Sequence, residues 1–367
     1  MSAQPDLLYS EDEEALRAAV RDLLADHCAA AAVLARVETD APHDRGLWKH
    51  LAENMGLAGL LVPERHGGQG ASHREAAVVL EELGRSVAPL PYLTSAVIAT
   101  EALLACDTVE ATGLLAALAS GRTIGALAVP LSAGPGQEFT AVREEGGAVT
   151  GRVTGVADAG VADVFLVPTA NGLYAVDAEH ATVEPQTSFD RTRPLAAVTL
   201  ADAPARPLAA DATRAASAVR RALRAGAGLL VSEQLGVADW LLTETVRYTR
   251  ERHQFNRPVG SFQALKHRLA HLWLEVVNAR AVARNAADAL ATSSDDTDIA
   301  VAVAQAYAAP VAVHVAEDAL QLHGGIGMTW EHPIHLYLKR AKADSIALGT
   351  VGRHREELAE LVDLRAP

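Results

Sequence analysis

Residues 247–272, RYTRERHQFNRPVGSFQALKHRLAHL, constrain this chain more than any other stretch. Helical sequence carrying Arg250 and Arg252 runs into Asn256, Pro258 and Gly260, residues that turn a chain. Helical sequence then resumes near Ser261, which is expected to cap the second helix. Two long helices must therefore meet at a bend rich in hydrogen-bond donors. A second stretch, QLHGGIGMTWEHPIHLYLKRAKAD from Gln321, places Gly324, Gly325 and Gly327 where a helix should stop. Glycines at such a point let backbone N–H groups come close to a ligand.

Half of the residues are hydrophobic, yet aromatics make up only 4%. An excess of small and aliphatic side chains favours closely packed helices. The formal net charge of −14 leaves no basic stripe to neutralise phosphates, so nucleic acid is not an expected partner. An anion could still be held locally by Arg247, Arg250 and Arg252. Cys28 and Cys106 stand far apart in apolar surroundings, which fits a reduced, cytoplasmic setting. No charged-then-apolar leader is readable and no apolar run reads as long enough to cross a bilayer, so neither a secretion signal nor a membrane span is expected. His267 and His271 lie four apart on a predicted helix, but no Glu follows His267 and no third ligand is evident, so no metal site is expected.

Along the chain, EDEEALRAAVRDLLADHC after Ser10 has apolar residues at helical spacing and acids in its first turn, predicting one helix to about Ala35. A further helix should end near Gly56, the glycines at 67, 68 and 70 should form a loop, and Ser72 should cap the next helix. After Gly121 the texture changes to short β-branched or alternating runs separated by Gly, Pro and Asn, the pattern of a compact β domain. Helix returns from about Ala209 and runs through Trp240 into the opening stretch. ATSSDDTD near 291–298 reads as a polar loop with a cap for the following helix, in which Pro310 should produce a kink or break.

Together the two glycine- and arginine-bearing stretches resemble the C-terminal domain of the acyl-CoA dehydrogenase family: R-x-x-F with a Gln eight residues on, then Q-x-x-G-G-x-G and a downstream R-x-A-K. Here these are Arg252, Phe255 and Gln263, then Gln321, Gly324, Gly325, Gly327, Arg340 and Lys342. The resemblance implies a mainly α fold with a small β domain: an N-terminal α-helical domain (1–121), a middle β domain (122–206) and a C-terminal four-helix bundle (207–367). It further implies that Arg252, Phe255, Gln263, Gln321, Gly324 and Gly325 hold the pyrophosphate and adenosine half of FAD, reaching it from a neighbouring subunit. An α,β double bond would be introduced into an acyl-CoA thioester, of fatty or sterol side-chain type, or into an acyl group on a carrier protein. Electrons would leave through an electron-transfer flavoprotein.

Several positions depart from the family pattern. The base, a Glu before Gly-Thr, is replaced by Leu348 before Gly349 and Thr350, and the alternative base position on the preceding helix is Gly226. Glu233, two helical turns along from Gly226, is the remaining candidate base. Pro130 stands where the family has a flavin-contacting Thr, and Gly155 and Ala157 stand in place of the Trp and Thr of the ring shelf. What is retained is the set donated to a neighbour's FAD; what is lost is the set a subunit uses on its own. The chain therefore resembles the shorter, Glu-less subunit of actinobacterial heteromeric acyl-CoA dehydrogenases, which forms a tetramer with a Glu-containing partner. A flavin-dependent monooxygenase, a homomeric dehydrogenase with a relocated base, and a scaffold without flavin are the competing expectations.

Overall fold

The computed structural model of the protein describes residues 7–364. Helix α1 (Glu11–His27) starts from a reciprocal cap: Ser10 Oγ accepts the Glu13 N–H at 3.1 Å, and the Glu13 carboxylate accepts the Ser10 N–H at 2.6 Å. The single helix expected as far as Ala35 is instead interrupted at Cys28. Its side chain is buried with the thiol turned to the Ser86 carbonyl, and α2 (Ala30–Val37) begins only after the extended Ala29. Helix α3 (Arg45–Trp48) continues as wide turns to Asn54, and Gly56, at φ 72°, redirects the chain. Ser72 and Glu75 cap α4 (His73–Arg85) reciprocally, as the sequence predicts. A wide-turned helical segment, Tyr92–Ala99, leads into α5 (Thr100–Leu104), and α6 (Val109–Ala119) follows.

Two four-stranded sheets come next. In the first, β1 (Gly125–Leu127) pairs parallel with β4 (Val164–Pro168), which pairs antiparallel with β5 (Leu173–Asp177), and β5 pairs with β8 (Arg206–Ala209). The second is antiparallel in the order β2 (Val142–Glu145), β3 (Ala148–Ala157), β7 (Leu195–Pro204), β6 (Ala181–Gln186). Side chains alternate across a strand. Phe165 and Val167 of β4 accordingly face the core between the sheets, while Val164 and Leu166 join the helical core. The first sheet is thereby covered on both faces. Strand β8 extends beyond position 206, where the expected domain boundary falls.

Helix α7 (Ala212–Glu251), roughly 60 Å long, runs through the bundle and packs on α8 (Gln263–Ala291) and α9 (Thr297–His323). Helices α10 (Ile334–Asp344) and α11 (Val351–Leu361) pack on α9. Between α7 and α8 lies a hairpin, β9 (His253–Gln254) and β10 (Arg257–Pro258), turned by Phe255 and Asn256 at φ 52° and 58°. Asn tolerates that left-handed backbone. Ser261 does not cap α8. The Val259 N–H donates to the Arg252 carbonyl at 2.8 Å, which fixes a tight turn over Val259–Ser261, leaves the buried Ser261 Oγ unpartnered and delays the helix to Gln263. Likewise no side chain caps α9 at Asp296; the Thr297 hydroxyl instead donates back to the Ala289 carbonyl at 2.9 Å.

Pro310 does not break α9, which is one helix from Thr297 to His323. Its packing against α7, α8 and α11 offsets the backbone bond that proline cannot make. The same burial corrects the expectation about apolar runs. Residues 297–328 are long and apolar enough to cross a membrane, with mean hydropathy 1.7 over an 18-residue window, but 61% of that window is buried inside the protein. A helix at the centre of a bundle is hydrophobic all round for that reason.

Helices α4 and α7 approach through two glycines. A Cβ on Gly236 would lie 1.9 Å from the Glu81 carbonyl oxygen, and one on Gly84 would lie 2.1 Å from that of Glu233. Both obstacles are backbone, so neither can rotate away. Gly236→Ala is expected to destabilise the fold by roughly 3 kcal/mol, despite the better helix propensity of alanine. Urea denaturation checks this; a change below about 1 kcal/mol would mean that the two helices separate at little cost.

Candidate functional site

Leu348 and Gly226, the two positions at which a base was sought, meet in space. Leu348 is buried in a left-handed conformation, φ 56°, and its N–H donates to the Leu131 carbonyl at 2.7 Å. A Cβ on Gly226 would lie 3.1 Å from Leu348 Cδ1 and 2.8 Å from Ile98 Cγ1. Aliphatic carbon thus fills the space that a side chain from position 226 would need. Pro130 and Ala157 line the same pocket with Thr94, Ile98, Val129 and Leu223. A Cβ on Gly155, at φ 72°, would lie 3.8 Å from Pro130, and the Gly155 carbonyl accepts the Leu131 N–H at 2.8 Å. The cavity left is about 20 Å³, room for about one water. Its lining contains no titratable side chain. The Thr94 hydroxyl donates to Asp158 Oδ2 at 2.7 Å and to the Pro91 carbonyl at 3.1 Å. An isoalloxazine ring does not fit this pocket as it is shaped here.

Glu233 is not placed to act as a base. Arg193 Nη2 donates to its two carboxylate oxygens at 2.9 and 2.6 Å, and Arg340 Nη1 also donates to it. Burial raises the Glu233 carboxyl, but the two guanidiniums outweigh burial and hold it below its ordinary value. Proton abstraction requires a free lone pair of adequate basicity, and these pairings remove both. Arg340 is likewise withdrawn from cofactor contact. Fully buried, it also donates to Asp190 Oδ2 and Thr192 Oγ1, each at 2.6 Å, and so ties the segment before β7 to α7 and α10. The arginine of the R-x-A-K motif is therefore an internal brace. Asp158 makes a comparable link between β3 and the helical domain, accepting from Thr94 and lying 2.8 Å from His43 Nε2. Burial raises its carboxyl, and His43, Arg193 and Thr94 outweigh that to leave it below its ordinary value.

The other predicted residues converge elsewhere. Arg252, Gln321, Gly324 and Gly325 line an open groove of about 530 Å³ with Tyr248, Gln254 and Arg268. Arg268 is paired with Asp318 at 2.6 Å. Arg247 is occupied by Glu244 at 2.9 Å and Glu251 at 2.7 Å, so the expected three-arginine cluster does not act as one. Among the described residues, the exposed Arg252 guanidinium has no acidic partner. Gly324 has φ 62° and ψ −138°, and nothing lies within 4 Å of a Cβ placed on it or on Gly325. An unpaired cation beside an open glycine turn suits a phosphate-bearing group, so this groove fits the diphosphate portion of a dinucleotide. Gln263, exposed at the start of α8, and Phe255, 86% exposed and edge-on to Phe262 at 6.1 Å, stand outside the lining.

Two sites therefore differ in kind: a closed apolar pocket inside the chain, and an open polar groove that another chain could complete. Residues 10–121 match the family description "Acyl-CoA dehydrogenase, N-terminal domain", and residues 216–362 match "Acyl-CoA dehydrogenase, C-terminal domain". Among curated proteins, acyl-CoA dehydrogenase IpdE2 of Mycolicibacterium smegmatis is 36% identical over 352 residues, covering 96% of this chain and 98% of the relative. Among solved structures, the ChsE4-ChsE5 complex from Mycobacterium tuberculosis has TM-score 0.86 at 27% identity, covering 99% of this chain and 100% of that one. A variant of the steroid ACAD Tcur3481-Tcur3483 has TM-score 0.85 at 30% identity, covering 96% of this chain and 98% of the other. The fold is that family's, helical with a small β domain, and its cofactor is FAD. This chain belongs to the acyl-CoA dehydrogenase family, FAD-dependent oxidoreductases that act on CH–CH bonds.

Proposed function

We propose that this chain is the non-catalytic subunit of a heteromeric acyl-CoA dehydrogenase, completing the FAD site of a Glu-containing partner and supplying no base itself. The observation that carries this reading is the apolar closure of the internal pocket. Of the five departures from the family pattern, Leu348, Pro130 and Ala157 line a cavity of about 20 Å³, while a Cβ on Gly226 would lie 3.1 Å from Leu348 and one on Gly155 would lie 3.8 Å from Pro130. These positions surround a single flavin ring in the family, and here aliphatic carbon closes the space between them. The groove at Arg252 and Gln321, in contrast, stays open and charged.

In the mixed assembly, Arg252 would pair with the cofactor's diphosphate, and the Gly324–Gly325 turn would let it approach the backbone. Gln321 would hydrogen-bond the adenosine half, with Gln263 and Phe255 contributing at the rim. When bound, FAD accepts the hydride of α,β-dehydrogenation, and the partner removes the α-proton. The assembly is expected to be a tetramer, to pass electrons to an electron-transfer flavoprotein, and to act on CoA thioesters of bulky, steroid-like acyl groups. The presence of a two-component complex and of a steroid ACAD among its structural relatives supports that choice. A homomeric dehydrogenase based on Glu233 is disfavoured because both arginines hold that carboxylate.

The test is the FAD-to-protein ratio of the chain purified alone and after co-expression with a homologue that bears Glu before Gly-Thr. The expected result is little flavin alone and one FAD per mixed pair. Stoichiometric FAD on the isolated chain would overturn the reading.

A further inference from the structure

Behind the glycine turn, three side chains from distant parts of the sequence come together. Glu244 lies on α7, His323 ends α9, and His332 precedes α10; one donor atom from each falls within 4.8 Å of the others. Their burial is graded. His323 is 2% exposed, whereas Glu244 and His332 retain solvent access at 17% and 13% of their side chains.

The key observation concerns His323. Its Nδ1 lies 2.7 Å from the Ala319 carbonyl, which can only accept, so Nδ1 carries the proton and Nε2 presents a lone pair. That Nε2 is buried and has no hydrogen-bond partner among the described residues. A buried, unpartnered polar atom is costly. A histidine whose far nitrogen is anchored to a backbone carbonyl is also the usual arrangement of an imidazole that binds a metal. The ring is held further by stacking on Tyr248 at 4.4 Å and packing against His332 at 4.7 Å.

We propose that Glu244, His323 and His332 form a binding site for Zn²⁺, with water completing the coordination. Two imidazoles and a carboxylate are a donor set suited to zinc. Tetrahedral ligand atoms stand about 3.4 Å apart, given metal–ligand distances near 2.1 Å, so groups that now lie within 4.8 Å of one another must close by up to about 1.4 Å. Two existing contacts yield. Glu244 turns away from Arg247, which keeps Glu251 at 2.7 Å. His332 gives up the long 3.3 Å bond that its Nδ1 accepts from the Ile334 N–H. Burial holds both imidazoles below their ordinary pKa, keeping their nitrogens available at neutral pH. The bound ion would fasten α7, the end of α9 and the approach to α10 behind the groove that carries Gly324.

The test uses the tag-free full chain, stripped with a chelator and titrated with Zn²⁺ against a chromophoric competitor. One equivalent should bind. His332→Ala and Glu244→Gln should each weaken binding by more than tenfold, since even outer-shell changes cost roughly 10–100-fold. The double variant His267→Ala with His271→Ala, which removes the exposed pair on α8, should leave binding unchanged. Circular dichroism confirms that each variant is folded, and Glu244→Gln carries the test if His332→Ala is not. Absence of stoichiometric binding, or binding that survives in folded Glu244→Gln, would overturn the proposal. Loss only in the α8 double variant would do the same.

Discussion

Arg340→Met is expected to destabilise the chain by about 3–5 kcal/mol, because it strips a buried ion network of one of its two cations. Arg193 and Arg340 face the carboxylates of Asp190 and Glu233. Asp344, 2.8 Å from Arg193, is the odd member: burial and the neighbouring Glu233 push its carboxyl well above the ordinary range. Among the described residues its Oδ2 has no hydrogen-bond partner. Methionine fills much of the arginine stem's volume but leaves Asp190 with only the Thr192 N–H and hydroxyl. A second change, Glu233→Gln, removes the surplus negative charge. The double variant should therefore be more stable than the sum of the single losses predicts, by on the order of 1–3 kcal/mol. Urea denaturation of the four proteins of this cycle measures it. A loss under about 1 kcal/mol for Arg340→Met would show that water reaches the network.

Arg252→Ala should weaken FAD binding to the mixed complex on the order of 100-fold, while leaving the stability of the chain within about 0.5 kcal/mol. A guanidinium–phosphate contact of about 3 kcal/mol corresponds to that factor. The residue is exposed and bonded through its backbone, so removing its side chain takes nothing from the core. Arg250→Ala is the control. Two positions away on a helix faces a different direction, and Arg250 does not line the groove. Fluorescence titration of the deflavinated complex reads the affinities. Equal weakening by both variants would reduce the effect to general electrostatics, and no weakening by Arg252→Ala would remove this groove from the FAD site.

The local signals in the sequence were read with little loss. Ser10 with Glu13 and Ser72 with Glu75 act within one turn, so their spacing alone announces a helix start. The failures share a cause as well. Ser261 was displaced as a cap by the Val259–Arg252 backbone bond across a hairpin, and Pro310 was absorbed by helices on several sides. In each case a contact distant in sequence outweighed a local preference. Of the candidate site, the sequence supplied both the retained residues and the departures. The pairing of Glu233 with two arginines was not legible, because those arginines lie 40 and 107 positions away. The Glu244, His323 and His332 cluster was missed for the same reason: no spacing rule connects residues on three different elements.

By itself, then, the sequence determined the family, the order of helical, β and helical parts, and the absence of a carboxylate at positions 226 and 348. Those features rest on residue identity, periodicity and turn chemistry, which act over a few residues. Only the tertiary structure decided that Gly226, Leu348, Pro130 and Gly155 close on one another, that Arg340 braces the interior, and that Arg252 has no acidic partner among the described residues. Packing and Coulomb forces act through space between segments that the folded chain brings together, and their partners are set by that fold.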